Sequence, residues 1–277
     1  MIILPKVLIV ILNYSTYDYS IKLIQDIKMH LDYPDYRILV IDNCSPNESP
    51  KVLEEKKSEL DYLFIPNNDN RGYAAGNNIG IRYAIRNGYK YTWILNNDVI
   101  LREPYLLSTL VGKMERNANI GCVGPKIYSN DGSICAPYCE RPNLWTLSIG
   151  RPLERIRCKR FCEESRIVYR VYGCCMLLSN KAMEEIDCMD ERTFLYGEED
   201  ILAERLLNKG YYTFYDASVG ITHVGSVSMA NANLNRKKTY IIATQKSAEL
   251  YMKEYRHYKK PIRLFCHAIS SLITLIR

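Results

Sequence analysis

The sequence predicts an α/β protein with a mainly parallel central sheet and helices on both faces, and three observations carry that expectation. Strand-like and helix-like segments alternate strictly from residue 7 to residue 98, the pattern of a parallel sheet whose crossovers cover both faces. The early strand segments are continuous apolar runs too short for helices, as strands buried on two faces require. Polar residues gather where those runs stop, at Asn13, Asp42, residues 67–71 and residues 96–98, and ligands of such sheets bind outside the carboxyl ends of the strands.

Residues 7–12 are the first such run, and residues 20–31 follow with helical spacing at Ile21, Ile24, Ile27 and Leu31. Residues 37–42 form a second strand ending in a carboxylate, residues 50–60 a short charged helix and residues 62–65 a third strand. Residues 76–87 read as a helix closed by Gly88 in the left-handed conformation favoured at such ends. The fourth strand, residues 91–95, stops at Asn96-Asn97-Asp98. Residues 104–117 read as a helix, whereas residues 131–165, rich in Pro, Cys and Arg and without periodicity, are expected to form a long loop or flap. Residues 168–179 are strand-like, residues 198–209 helical, and residues 211–215 and 218–223 two further strands. After Gly225 the character changes to a basic, Tyr-rich helix at 236–258 and an apolar one at 261–277. The expected organisation is one domain over residues 1–230 and a helical extension over 231–277.

The chain has 277 residues and a net charge of +6, with the basic excess in residues 151–170 and from 236 onward rather than along an aromatic-studded groove. That argues against nucleic acid and for an anionic small ligand or a membrane surface. Nothing at the amino terminus reads as a signal peptide, so the ten cysteines are expected as mostly free thiols in a reducing cytosol. Cys135, Cys139, Cys158 and Cys162 form two Cys-x3-Cys pairs, but zinc pairs are more often spaced by two residues, and the preferred reading is small buried or loop residues.

Four segments carry chemistry. Asn96-Asn97-Asp98 places a carboxylate and an amide oxygen two positions apart at a strand end, where Mg²⁺ or Mn²⁺ would take oxygen ligands and bridge a diphosphate with only one or two carboxylates; the same triplet is also a common turn sequence. His223 follows a late strand, and although a lone histidine is often just packed, an imidazole there suits Mn²⁺ or a phosphate oxygen. Glu198, Glu199 and Asp200 open a helix; its dipole favours acidic residues, yet three in succession exceed that need and crowd one another toward general-base work. Residues 67–80 form a Gly/Asn-rich loop leading into a helix, whose backbone amides together with Arg71 suit a diphosphate or a sugar.

In order, the stretches Val10-Ile-Leu-Asn-Tyr14, Val40-Ile-Asp-Asn-Cys-Ser45, Asn70-Arg-Gly-Tyr-Ala-Ala-Gly-Asn-Asn-Ile-Gly80, Leu95-Asn-Asn-Asp-Val99, Gly173-Cys-Cys-Met-Leu-Leu178, Phe194-Leu-Tyr-Gly-Glu-Glu199 and His223-Val-Gly-Ser-Val-Ser228 resemble glycosyltransferase family 2, in its rhamnosyltransferase-like branch. The resemblance implies a GT-A fold and inverting, metal-dependent transfer from a UDP- or dTDP-sugar to a glycan or lipid-linked acceptor, as in surface polysaccharide synthesis. By resemblance, Asn13 and Asp42 hold the base and ribose, while Arg71 and Gly72 lie on the base or phosphate side. Asn96 and Asp98 stand where the family's metal motif stands, with Asp98 carrying most of the metal binding and His223 beside it, and Asn96 and Asn97 are also implied to bind the donor. Glu199 is the implied base, with Glu198 and Asp200 as close rivals. A sugar-phosphate nucleotidyltransferase would want a Gly-rich, Arg-containing loop after the first strand, where this chain has Asn13-Tyr-Ser-Thr-Tyr17. A non-catalytic sugar-nucleotide binder would not need the acidic triplet.

In the tail, Ile262, Phe265, Ile269, Leu272 and Ile276 recur at helical spacing, and Arg256, Lys259 and Lys260 precede or open that segment. The stretch is too short and interrupted to cross a bilayer. It is expected to lie on the inner face of a membrane, with packing on the main domain or on a second copy in a homodimer as the alternatives.

Overall fold

The computed structural model describes residues 4–150, 152–225 and 236–276, and its architecture is the expected α/β one. The first half alternates β1 (Val7–Asn13), α1 (Tyr17–His30), β2 (Tyr36–Asp42), α2 (Ser49–Lys56), β3 (Leu63–Pro66), α3 (Tyr73–Arg86) and β4 (Tyr91–Asn96). There follow β5 (Val99–Leu101), α4 (Leu106–Arg116), β6 (Ile120–Ser129), α5 (Leu144–Ile149), α6 (Pro152–Cys158), β7 (Arg166–Val168), β8 (Cys175–Ser179), α7 (Asn180–Glu185), α8 (Glu198–Leu207) and β9 (Tyr212–His223). Two tail helices, Arg236–Leu250 and Lys260–Ile276, close the chain.

The sheet runs β3-β2-β1-β4-β8-β6-β9-β5, with β7 also on β9. The β3-β2-β1-β4 block is parallel, as is the β6–β9 pair, while β8, β5 and β7 run antiparallel to their neighbours. Alternate side chains of β1 serve two cores. Val7, Ile9 and Ile11 pack with α1 and α4, whereas Leu8 and Val10 pack with α3, so all five are fully buried. This is why the strand reads as an unbroken apolar run.

Four readings of the second half need correction. Residues 168–179 are not one strand: the chain turns at Gly173–Cys174, separating β7 from β8. Residues 211–215 and 218–223 are a single strand, whose interruption is a bulge where Pro125 pairs with Asp216 and Lys126 with Gly220. Strand β6 escapes periodicity because Gly121 and Gly124 interrupt it, and each is small for a reason: an added Cβ would meet Leu206 or Val171 at 2.7 Å. The expected flap over 131–165 contains α5, capped by an Asn143–Thr146 capping box, and α6 followed by a 3-10 turn at Lys159–Phe161. Two-turn helices are too short to print a period.

The tail is not a single helix over 236–258; its first helix runs into a π-helical turn, Tyr251–Tyr255. That turn seats Tyr251 and Met252 in the body of the protein. The Tyr251 hydroxyl donates to Glu204 on α8 (2.7 Å), as does Tyr169 (2.9 Å), while Arg141 forks onto the same carboxylate, its Nε at 2.6 Å. Glu204 is fully buried. Burial alone would raise its pKa, but Arg141 and the two tyrosines outweigh burial and hold it below the usual value. Tyr255 likewise donates to Asp190 at 2.5 Å. Among the described residues no helix is long and apolar enough to cross a membrane.

Candidate functional site

The polar ends of β1, β2 and β4 come together as one buried floor. Asn13 donates to Asp42 (2.7 Å) and accepts from Ser20 (2.9 Å). The Asp42 carboxylate also accepts from the Ser45 hydroxyl (2.6 Å) and backbone amide (2.9 Å). Asn97 turns its amide nitrogen inward, to Thr16 (2.8 Å) and Ser20 (2.9 Å). Asn13 and Asp42 are 0% and 1% exposed, so every polar atom here must find a partner inside the protein. Ser20 and Ser45 were not singled out in the sequence, although Ser45 ends the quoted stretch at 40–45.

The helix α3 begins against this floor. Gly72 has φ +101, and a Cβ there would lie 2.1 Å from the carbonyl oxygen of Phe194. The Tyr73 amide donates to that same carbonyl at 2.9 Å, and its hydroxyl donates to Gly173 O at 2.6 Å. Tyr73 therefore clamps the Gly173 turn and the segment leading to the acidic triplet onto α3; burial first, then Glu198 and Glu199, drive its pKa well up. Arg71 stands outside, paired with Glu191 at 3.0 Å on the exposed rim. Gly72→Ala is expected to destabilise the fold by more than about 1 kcal/mol, since alanine resists positive φ, and to impair turnover by pushing on residues 194–200. A thermal melt together with a turnover assay checks this; an unchanged melt and rate would show that the contact gives way freely.

The acidic triplet at the start of α8 splits into three environments. Glu198 is 7% exposed and its Oε2 finds no hydrogen-bond partner among the described residues. Burial, then the neighbouring Glu199, push its pKa well above the ordinary glutamate value. Glu199 accepts from the Gly173 amide at 3.2 Å and lies 3.8 Å from Arg170. Asp200 pairs with Arg170 Nε at 2.9 Å. Arg170 stacks 3.6 Å from the centre of the Tyr138 ring; burial works against its charge, but Asp200 and Glu199 outweigh burial. No motif marked Arg170, because its partners lie some thirty residues away along the chain.

The Gly173–Cys174 turn links this triplet to the end of β4. The Cys174 carbonyl accepts from the Asn96 amide at 2.9 Å. Asp98 is 6% exposed, and His223 Nε2 lies 3.2 Å from its Oδ1. That nitrogen is off the line of a hydrogen bond and is buried without a hydrogen-bond partner. Burial opposes charge on His223, yet Asp98 and Cys174 outweigh it and carry its pKa to about 10. Thus the Gly173–Cys174 turn is bonded to Asn96 on one side and to Glu199 on the other, with the Asp98–His223 pair beside Cys174. A cleft of about 630 Å³ opens beside His223, lined also by Tyr172, Cys135, Asp131 and Ser129.

Among the described residues no group of three or more His, Cys, Asp or Glu is arranged to hold a metal. All ten cysteines are free thiols, and the half-buried Cys139 thiol is pushed up to about 12 by desolvation and the neighbouring Cys158.

The glycosyl transferase family 2 model matches residues 7–186, which takes in the floor and the β4 end but not the acidic triplet or His223. A low-salt glycan biosynthesis hexosyltransferase of Haloferax volcanii is 29% identical over 165 residues, covering 58% of this chain and 50% of its own length; the chain thus spans about half of that relative. An N-acetylglucosaminyl-diphospho-decaprenol L-rhamnosyltransferase of Mycobacterium tuberculosis is 24% identical over 233 residues, covering 74% of this chain and 73% of its own. A mannosyltransferase of Pyrobaculum calidifontis, solved with GDP-Man and Mn²⁺, superposes with a TM-score of 0.62 at 15% identity, over 98% of this chain and 70% of that one. GalNAc-T7, solved with UDP, GalNAc and Mn²⁺, gives the same score at 15% identity over 80% of this chain and 44% of that one. The fold is therefore GT-A, and the chain belongs to glycosyl transferase family 2.

Proposed function

We propose that the chain transfers a hexosyl group, with inversion, from a nucleoside diphosphate donor (UDP or dTDP) to a hydroxyl of a glycan or lipid-linked acceptor. The observation that carries this reading is the meeting of the Asp98–His223 pair with the Glu198–Glu199 pair across the Gly173–Cys174 turn. The buried floor of Asn13, Asp42 and Asn97 sets the strand ends on which the donor lies, and Gly72 lets α3 approach closely.

A divalent cation fits the residues present. The buried His223 nitrogen lacks a hydrogen-bond partner among the described residues and faces a carboxylate; with its proton displaced by the cation, the two would make a donor pair suited to Mn²⁺ or Mg²⁺. Asp98 and His223 would hold it, with Asn96 beside them, and donor diphosphate and water would complete its shell. When bound, the cation supplies stabilisation of the negative charge growing on the departing diphosphate. Glu199, placed by the Gly173 amide and by Arg170, takes the proton of the acceptor hydroxyl as that oxygen attacks the anomeric carbon. Burial and the neighbouring Glu199 favour the protonated form of Glu198 beside it, and Asp200 serves Arg170. The leaving diphosphate departs on the face opposite the attack, so no covalent intermediate forms.

A screen of UDP-, dTDP- and GDP-sugars by thermal shift, with and without Mn²⁺, tests the donor reading. One donor class at a hundredfold excess over its Kd is expected to stabilise the protein by about 2.7 kcal/mol, and more weakly in chelator. No shift with any sugar nucleotide in either condition would overturn it.

A further inference from the structure

We infer that α5 and the second tail helix together form a docking face for an anionic lipid bilayer. The two helices pack on each other, with Cys266 Sγ 4.0 Å from the Leu144 carbonyl. Cys266 is buried at their seam, while Trp145, Leu264 and Phe265 are 67%, 58% and 60% exposed and Leu144 is 38% exposed. Single exposed apolar residues are ordinary, but a large aromatic-aliphatic set on two adjoining helices is not.

The tail helix is also turned opposite to a helix that merely covers a core. Its polar side chains point inward: Arg263 donates to Glu249 at 2.8 Å and to the Tyr258 carbonyl at 2.7 Å, and His267 meets Glu249 at 2.9 Å. Pro261, Leu264, Phe265 and Ala268 are left outward. Arg263 and His267 are thus spent inside while Leu264 and Phe265 face outward, which water does not reward.

Charge selects the occupant. Lys259 and Lys260, both exposed, stand at the start of the second tail helix, and Arg256 donates to the Pro142 carbonyl (2.5 Å) just ahead of α5. An apolar face with Trp and Phe beside the exposed Lys259 and Lys260 matches the boundary of an anionic bilayer, where rings sit at headgroup depth and each nearby Lys or Arg adds attraction. A second copy of the chain would bring the same cations against these and repel them. The helix lies along the surface and does not cross it, since among the described residues no helix is long and apolar enough to span.

The chain carries its own reporter. Of its two tryptophans, Trp93 is fully buried and Trp145 is exposed, so a change on docking belongs to Trp145. The full chain is mixed with vesicles of phosphatidylcholine alone, or of equal phosphatidylglycerol and phosphatidylcholine, with brominated acyl chains as quencher. Co-flotation with the anionic vesicles, a blue shift and quenching of Trp145 are expected, with partition to neutral vesicles weaker by about tenfold or more. The Leu264→Ser/Phe265→Ser pair and the Lys259→Glu/Lys260→Glu pair, all at exposed positions, are each expected to weaken anionic binding by about tenfold or more. Equal flotation of wild type and both variant pairs, or no flotation of wild type at all, would overturn the inference. So would a dimer in vesicle-free buffer that Leu264→Ser/Phe265→Ser dissolves, which would assign the face to a second copy. Vesicle binding is read without donor or turnover, so its failure leaves the transfer reaction untouched, and the reverse also holds.

Discussion

Asp98→Ala is expected to abolish sugar transfer while leaving the fold intact. The residue lies in the turn between β4 and β5, outside the core strands, and among the described residues its carboxylate is paired with His223. If it holds the cation that steadies the leaving diphosphate, its loss removes several kcal/mol from the transition state, about three or more orders of magnitude in rate. Wild-type activity should vanish in chelator and return with Mn²⁺ or Mg²⁺. The variant should melt near the wild-type temperature but lose the metal-dependent part of the donor-induced shift. Full wild-type activity in chelator would remove the metal from the reaction and leave Asp98 a role through His223 alone.

Glu199→Gln is expected to lower kcat by about two to four orders of magnitude, the usual worth of a general base, with donor affinity nearly unchanged. The structure sharpens the comparison with its neighbours. Glu198, whose protonated form burial and Glu199 favour, is mimicked by glutamine in that form, so Glu198→Gln should keep turnover within about tenfold of wild type. It should also raise stability at neutral pH. Folded Glu198 holds its proton well above the ordinary value of 4.5, whereas the unfolded chain releases it near that value. Rising pH above that value therefore favours the unfolded wild type until the folded pKa is passed, and glutamine, which never titrates, is spared that loss. Asp200→Asn should loosen Arg170 and act indirectly. Wild-type rates in Glu199→Gln alongside a large loss in Glu198→Gln would move the base to Glu198.

Much of the site was legible because its residues sit at the ends of short apolar strands. Asn13, Asp42 and Asp98 each follow such a run, and the parallel block fixes those ends on one edge of the sheet. The acidic triplet stood out by crowding alone. Arg170 and the Tyr73 clamp were invisible because each acts through partners distant in sequence: Arg170 on Glu199 and Asp200, Tyr73 on Gly173, a hundred residues away. Arg71, prominent in the sequence, lies on Glu191 at the rim.

The tail shows the same division at larger scale. Its amphipathic spacing was plain, but spacing names two faces without saying which one turns outward. The inward pairing of Arg263 and His267 with Glu249 decided that, and so left Phe265 and Leu264 outside. The sheet class, the order of the strands' polar ends and the family motifs could be read from the residues alone, because burial on two faces and turn chemistry are local demands that single segments must meet. It took the packed chain to show which carboxylate oxygen is buried without a partner among the described residues, which carboxylate is paired with a cation and which apolar side chains are left exposed. Those are matters of desolvation and contact between segments far apart in the chain, and no local pattern records them.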